Sequence, residues 1–350
     1  MGLVAAILSS ICTALMVVSD RFIIKDYYEG KSEHAWIISS AAGGVFGLAL
    51  TVIIAFFLSV FTDSVSLTLI SAAIYELFFW EGIAMVLVGT FAIQTLYHYF
   101  RCYENDVSSP TIASWIATLP LFIMAVYLIA EFFYPNGTEI GGVGPHWFIG
   151  IFITCFGLLA FELYTGEKST VKSRYKHIFL YLLSSIVYVV TLRFIFTSGI
   201  DTSMGLNEII ALLPFYWLGF LAGTRPLLQT EARSNFVAAW RNRIRLFLLP
   251  IGIIEIIGML VFYFEYLGIT ELNPTVVNLF IAAHIVIVYL LNLSLGFLRT
   301  KMERETVSHY SVLGFTITAN ALPIQKTGAK IIATETIILM IIIAGIIIAT

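Results

Sequence analysis

The residues able to do chemistry in this chain are few, and most lie inside apolar sequence. Glu255 stands ten residues past Arg245, and His284 ten residues past Pro274. At 1.5 Å per helical residue each is about 15 Å into its hydrophobic stretch, close to the middle of a ~30 Å hydrocarbon layer. A carboxylate and an imidazole at equal depth on neighbouring helices can share a proton or hold a polar substrate group. The same pair also serves as a hydrogen-bonded strut, or sits on two different faces. Gln94 and Asn278 line the same cavity in one reading and act as interhelical amide glue in the other. Arg193, in the far part of its stretch, either binds an anion or extends its head group to the interface. Trp115 and Trp217 are the deeper tryptophans. They suit an aromatic-lined cavity for an amphipathic or cationic organic molecule, or plain helix packing. Pro120 and Pro214 each remove a backbone hydrogen bond and mark candidate helix breaks.

Other charged and aromatic residues take simpler readings. Asp20 and Arg21 close the first apolar stretch as an intrahelical or interfacial pair. Glu81, Glu162 and Glu265 fall near stretch ends, within reach of water or headgroups. Trp36, Trp80, Trp147 and Trp240 fall near membrane interfaces and fit an aromatic belt. Gly43 and Gly47 form a Gly-x-x-x-Gly pair suited to close helix packing. Gly166-Glu-Lys-Ser-Thr170 lacks the Gly-Lys and upstream glycine of a phosphate loop. There is no His-Glu-x-x-His, and Cys12, Cys102 and Cys155 are far apart, so neither a metal site nor a disulfide is expected. Asn136-Gly-Thr138 is a glycosylation sequon.

The elements that must position these residues are membrane spans. Hydrophobic residues make up 59% of the 350 and charged ones 12%, where a soluble domain carries about 25%. Mean hydropathy is +0.93. Disorder, a coiled coil and a disulfide scaffold are excluded. A net charge of -3 without a basic patch argues against nucleic acid as a partner. Ten apolar stretches of spanning length occur at about 3–24, 35–61, 78–102, 109–133, 146–165, 177–199, 207–224, 246–267, 274–298 and 331–349. The first is read as a retained helix rather than a signal peptide, since no basic region precedes it and no small-residue cleavage site follows. Segment 67–77 extends the third stretch or turns at the interface. Segment 311–324 is apolar but too short to span as a straight helix, and is expected to re-enter the membrane or lie on it.

Of the 19 Lys and Arg residues, 17 fall in the loops that follow odd-numbered stretches, and none falls in the even loops or at either end. Cytoplasmic loops carry the Lys/Arg excess. The odd loops are therefore expected inside and both termini outside.

A weak internal duplication runs through the chain. Tyr99-Phe100 recurs as Tyr263-Phe264, and Pro110-Thr111 as Pro274-Thr275, both at an offset of 164. Leu8-Ser-Ser-Ile11 recurs as Leu183-Ser-Ser-Ile186, and Arg21-Phe-Ile23 as Arg193-Phe-Ile195. These equate the first stretch with the sixth and the third and fourth with the eighth and ninth. Five spans per half is an odd number, so the second half enters from the opposite side. The expected fold class is an all-α polytopic membrane protein, ten transmembrane helices in two inverted five-helix repeats. The first repeat covers 1–165, a cytoplasmic linker 166–176, and the second repeat 177–350. Such a plan suits alternating access around a site near the midplane.

Tyr97-His-Tyr-Phe-Arg-Cys-Tyr-Glu-Asn-Asp-Val-Ser-Ser-Pro110 leads from the third stretch into the fourth, which carries Pro120 and ends on Glu131. Tyr263-Phe-Glu-Tyr-Leu-Gly-Ile-Thr-Glu-Leu-Asn-Pro274 is its second copy, and Ser19-Asp-Arg-Phe22 closes the first stretch. In these features the chain resembles the EamA branch of the drug/metabolite transporter superfamily over nearly its whole length. Ala130-Glu131 stands where the family usually has Gly-Glu, and the ninth loop is longer. The resemblance implies a secondary transporter, often an exporter, of small metabolites or drugs, without ATP hydrolysis.

The expectation is therefore a transporter in the cell membrane working by alternating access, with proton coupling as an option. It is not an enzyme and needs no cofactor. Its partners are the lipid bilayer and a small-molecule substrate, with a homodimer allowed. The rival readings are a membrane-embedded enzyme and a flippase for a lipid-linked substrate.

Overall fold

A computed structural model describes residues 2–24, 28, 31–62, 65–105, 107, 109–133, 145–165, 172–198, 205–241, 251–272, 274–305, 307–312, 315–318, 322 and 329–349. The Asn136 sequon, linker residues 166–171, and the side chains of Glu131, Trp147 and Glu162 lie outside the described set. The helices are α1 (Gly2–Phe22), α2 (Ser32–Phe61), α3 (Leu67–Glu76), α4 (Glu81–Glu104), α5 (Ser109–Ile116), α6 (Leu119–Phe133) and α7 (Pro145–Thr165). They continue as α8 (Lys172–Ser198), α9 (Leu206–Phe220), α10 (Thr230–Trp240), α11 (Gly252–Glu271), α12 (Pro274–Ala282), α13 (His284–Arg304) and α14 (Ala329–Ala349). A 3₁₀ segment, Leu221–Leu228, extends α9.

Among the described residues, eight helical stretches are long and apolar enough to cross a membrane. With no water to bond the backbone in a bilayer, such sequence must satisfy its amides internally, and the helix does that. The outer surface agrees. Val45, Phe46, Val52, Ile53, Phe56, Phe57 and Val60 make one exposed stripe along α2, spaced by three, four and seven. An apolar stripe of this length needs hydrocarbon against it. The protein is a helical membrane protein.

The fourth and ninth apolar stretches are each divided. The fourth breaks at Ala117–Thr118 between α5 and α6, and the ninth at Ala283 between α12 and α13. At the first break Thr118 N–H bonds the Trp115 carbonyl at 3.0 Å, a tightened i−3 bond, and Pro120 follows as the second residue of α6. Proline there cannot donate to the preceding turn. The second break has no proline. Ala283 N–H bonds Phe280 at 3.0 Å, and His284 Nδ1 donates to the Ile281 carbonyl at 2.5 Å. Pro214, by contrast, lies inside α9 without ending it.

Packing places α1 along α11, α4 along α8 and α9, α2 along α9, and α7 along α14. The divided helices meet each other, α6 on α12 and α5 on α13. Glycine permits the closest crossings. A Cβ on Gly89 would stand 2.0 Å from the Tyr216 carbonyl, and one on Gly219 2.0 Å from the Val86 carbonyl. Gly43 and Gly47 face Phe220 and Trp217 at 2.5 and 2.3 Å from an added Cβ, so that pair does hold α2 close to α9.

Segment 311–324, too short to span as a straight helix, is not helical over its described residues. Its described part is an antiparallel hairpin, β1 (His309–Val312) and β2 (Phe315–Thr318), with His309 paired to Thr318 and Val312 to Phe315. The β-branched and aromatic residues Val312, Phe315, Thr316, Ile317 and Thr318 favour strands. Beyond it Leu322 is buried in the main core, its carbonyl bonded by Arg299 at 2.9 Å.

Two contacts carry testable stability. Tyr289 on α13 donates to Glu335 on α14 at 2.6 Å, both 8% exposed. Tyr289→Phe leaves a buried carboxylate without its donor and is expected to cost about 1–3 kcal/mol. Thermal unfolding in detergent checks this, with Tyr75→Phe, 87% exposed, as the unaffected control. At the other contact the backbone N–H of Gly2 bonds the Glu271 carboxylate, tying the start of α1 to the end of α11. That bond holds the Glu271 carboxyl below the ordinary carboxylate value. Its stabilisation is present above the unfolded value of about 4.3 and is lost as pH falls through the folded one. Glu271→Gln should remove this acid-side loss from the pH dependence of the unfolding midpoint.

Candidate functional site

Asp20 and Glu255 line one cavity. α1 contributes Met16 and Asp20, α2 Ser39 and Gly43, α4 Leu96 and Phe100, α9 Phe220, and α11 Ile254, Glu255, Gly258, Met259 and Phe262. Asp20 is 6% exposed and touches the Tyr99 hydroxyl. Ser39 Oγ donates to Glu255 Oε1 at 2.7 Å. The cavity measures about 20 Å³, room for about one water. Every other lining side chain is apolar or lacks polar atoms.

Local structure explains the meeting. Asp20 is two residues before the end of α1, and Glu255 is in the first turn of α11. The two helices pack along each other, which brings the end of one to the start of the other. Glu255 therefore meets Asp20 beside the end of α1. Tyr28, 3% exposed, lies close enough to feel both carboxylates. Burial first, then the Glu255 and Asp20 charges, push its phenol well above the ordinary tyrosine value. It stays a neutral donor, and its hydroxyl has no hydrogen-bond partner among the described residues.

Two carboxylates facing a cavity of this size and apolarity cannot both carry charge unless something neutralises one. A proton fits, and so does a single monovalent cation. An organic molecule does not fit this cavity as it stands.

His284 does not join Glu255. It is fully buried at the α12–α13 break, where its Nδ1–H occupies a carbonyl freed by the break. Its Nε2 is left as a buried lone pair without a partner among the described residues. Gln94 turns instead to His98, amide to Nε2 at 3.4 Å. Asn278 is 2% exposed within α12. Arg193 Nη1 donates to the Ile269 carbonyl at 2.7 Å, a cation on the last turn of α11, where the helix dipole favours it. Trp217, 1% exposed, packs against Tyr216, Phe220 and Tyr263.

Trp115 lines a second, larger cavity of about 500 Å³ at the α5–α6 break, with Phe122 and, from α7, Phe152 and Phe156. Its two hydroxyls, Ser114 and Thr118, both bond backbone carbonyls of their own turn.

Three expectations need correction. Glu265 is 8% exposed inside the bundle, not at a wet helix end, because α11 runs on to Glu271. Asp20 faces the cavity and Tyr99, not merely its neighbour Arg21. Trp36 and Trp240 are buried, and Trp36 Nε1 donates to the Ile93 carbonyl at 2.9 Å, an interhelical bond where a belt position was expected; Trp80 does stay exposed. Residues that sequence spacing missed are Ser39, Tyr28, Glu335 and the His98–His177 contact. Ser39, Glu335 and the two histidines each act with a partner far along the chain, and Tyr28 is placed by the same packing, so no local pattern marks them.

Among the described residues, no three His, Cys, Asp or Glu side chains cluster to hold a metal ion. Compared with known proteins, the chain matches no family model and no curated sequence.

Proposed function

We propose that this protein is a secondary transporter of small organic molecules, working by alternating access between two inverted five-helix halves. The observation that carries the reading is the pair of divided helices. The breaks fall at Ala117–Thr118 and Ala283, within two residues of the 164-residue offset read from the sequence, and the two divided helices pack on each other. Interrupted helices in corresponding positions of two repeats are the best structural pointer to a transport site. The packing pattern supports the same plan. Exchanging each helix of the first half for its counterpart turns the α1–α11 contact into the α8–α4 contact. It maps the α2–α9 and α7–α14 contacts onto themselves. The ten-span count then takes the divided fourth stretch and α7 as spans.

The acidic cavity supplies the coupling. Asp20 comes from the first half and Glu255 from the second, so the site they share opens or closes as the halves rock. Its size selects a proton or a bare cation as the driving species, and a proton is the simpler partner for two carboxylates and a serine. The likeness to EamA-type drug/metabolite transporters points the same way.

Reconstitution into proteoliposomes with a panel of organic cations, anions and neutral metabolites, with and without a pH gradient, tests the proposal. Gradient-dependent flux of any panel member supports it. No flux from folded protein under either condition defeats it. The bilayer placement has its own check: a cysteine at position 136 is expected to label from outside and one at 172 from inside.

The larger cavity favours one second reading, a flippase for a lipid-linked substrate. Its lining is mostly hydrocarbon and aromatic surface, and its two hydroxyls are taken by backbone carbonyls, which suits an alkyl chain. Scrambling of a labelled lipid by the same proteoliposomes, without gradient-driven flux of soluble compounds, would select it.

A further inference from the structure

Away from the acidic cavity, the basic ends of α4 and α8 carry a histidine pair. His98 Nδ1 and His177 Nδ1 face each other at 3.3 Å, with ring centroids 5.6 Å apart. His98 Nε2 meets the Gln94 amide at 3.4 Å, and Tyr97 stands edge-on to the His98 ring at 5.3 Å. Each neutral imidazole has one N–H and one lone pair. The facing nitrogens must therefore be one donor and one acceptor, and the Gln94 amide can present either its oxygen or its NH₂ to the far side of His98. One further proton is accommodated, because a single imidazolium still finds a lone pair opposite. A second is not, since two N–H groups would then point at each other.

The charges around the pair sharpen this limit. Arg101 of α4 and Lys176 of α8 both lie close to the two rings. Glu104, the acid near His177, is bonded to Arg101 at 2.7 Å and also to Ser32 of α2. From the side of α2, Trp36 packs tilted against Tyr97, ring centroids 5.0 Å apart, and Arg225 lies over Trp36 at 5.9 Å. A doubly protonated pair would thus add charge to a neighbourhood already rich in cations. The same cations oppose a divalent metal between the rings.

We propose that His98 and His177 form a one-proton binding site that holds α4 against α8, and that a second proton releases this contact. α4 and α8 come from opposite halves of the chain, so the site acts as an acid-released latch at the basic end of the bundle. It is separate from the Asp20–Glu255 cavity and does not depend on what the protein moves.

The test uses the full chain in lipid nanodiscs. Amide hydrogen exchange is compared between about pH 7 and about pH 3.5, acid enough for a second proton to bind beside Arg101 and Lys176, and corrected for intrinsic rates. In the unaltered chain, peptides covering the basic ends of α4 and α8 should exchange about tenfold faster at the acid end. His98→Gln and His177→Gln each remove one imidazole, and each should abolish that response; having two variants guards against one that fails to fold. Nitrogen-15 spectra of the imidazoles should show two coupled protonation steps. An unaltered chain with no acid response overturns the proposal, as do the same response in both variants or two rings titrating independently. Protection by added Zn²⁺ that vanishes in both variants would also overturn it, by making the pair a metal site.

Discussion

Glu255→Gln is expected to reduce gradient-driven uptake by about 5- to 150-fold, the range set by a coupling free energy of 1–3 kcal/mol between two bound species. Substrate exchange without a gradient should survive. Glutamine keeps the shape of the side chain and an acceptor for the Ser39 hydroxyl, now at 2.7 Å from Glu255 Oε1, but it cannot take up a proton. Folding should be spared, because a neutral amide is easier to bury than a carboxylate. Asp20→Asn should act in the same direction, since Asp20 lines the same cavity. The two changes should not add, as residues that share one cavity are coupled. Uptake in proteoliposomes with an imposed pH gradient measures all three. Full gradient-driven uptake by Glu255→Gln would remove the carboxylate from the coupling step.

Gly89→Val should destabilise the protein by about 3 kcal/mol or more, near or above the upper end for overpacking. The side chain has nowhere to go. Its Cβ would fall 2.0 Å from the Tyr216 carbonyl and 3.1 Å from the Phe220 nitrogen, both backbone atoms. A flexible side chain would swing aside, but here α4 and α9 must separate. That also breaks the bond from Thr90 Oγ1 to the Gly219 carbonyl at 3.3 Å. Gly219→Val should behave alike, because its Cβ meets the Val86 carbonyl at 2.0 Å. Gly258→Ala is the control. Its nearest neighbour is Met16 Sδ at 3.7 Å, ordinary contact, so the unfolding midpoint should hardly move. Thermal unfolding in detergent separates these cases.

Much of the fold is legible in the amino-acid sequence. Each of the ten apolar stretches is helical over most of its described residues, because a bilayer leaves apolar backbone no other way to bond itself. Pro120 marks the break between α5 and α6 by a local rule. Gly43 and Gly47 mark a close crossing by spacing alone. The break at Ala283 has no such mark. No proline stands there, and the duplication offset is the only hint of its position.

The site is less legible. Glu255 stands out because an acid inside a long apolar run is costly wherever it ends up. Its partner does not. Depth along the helix suggests His284, but His284 is spent on its own helix break, and Asp20 is 235 positions away in the chain. Arg193 likewise reads as a lone cation until α11 brings the Ile269 carbonyl to it. Composition and period determine which segments span and which face is apolar, since both depend on transfer from water and are local sums. Which two acids face one cavity, which histidines touch and which glycines meet backbone depend on the packing of helices distant in sequence, and only the tertiary structure decides that.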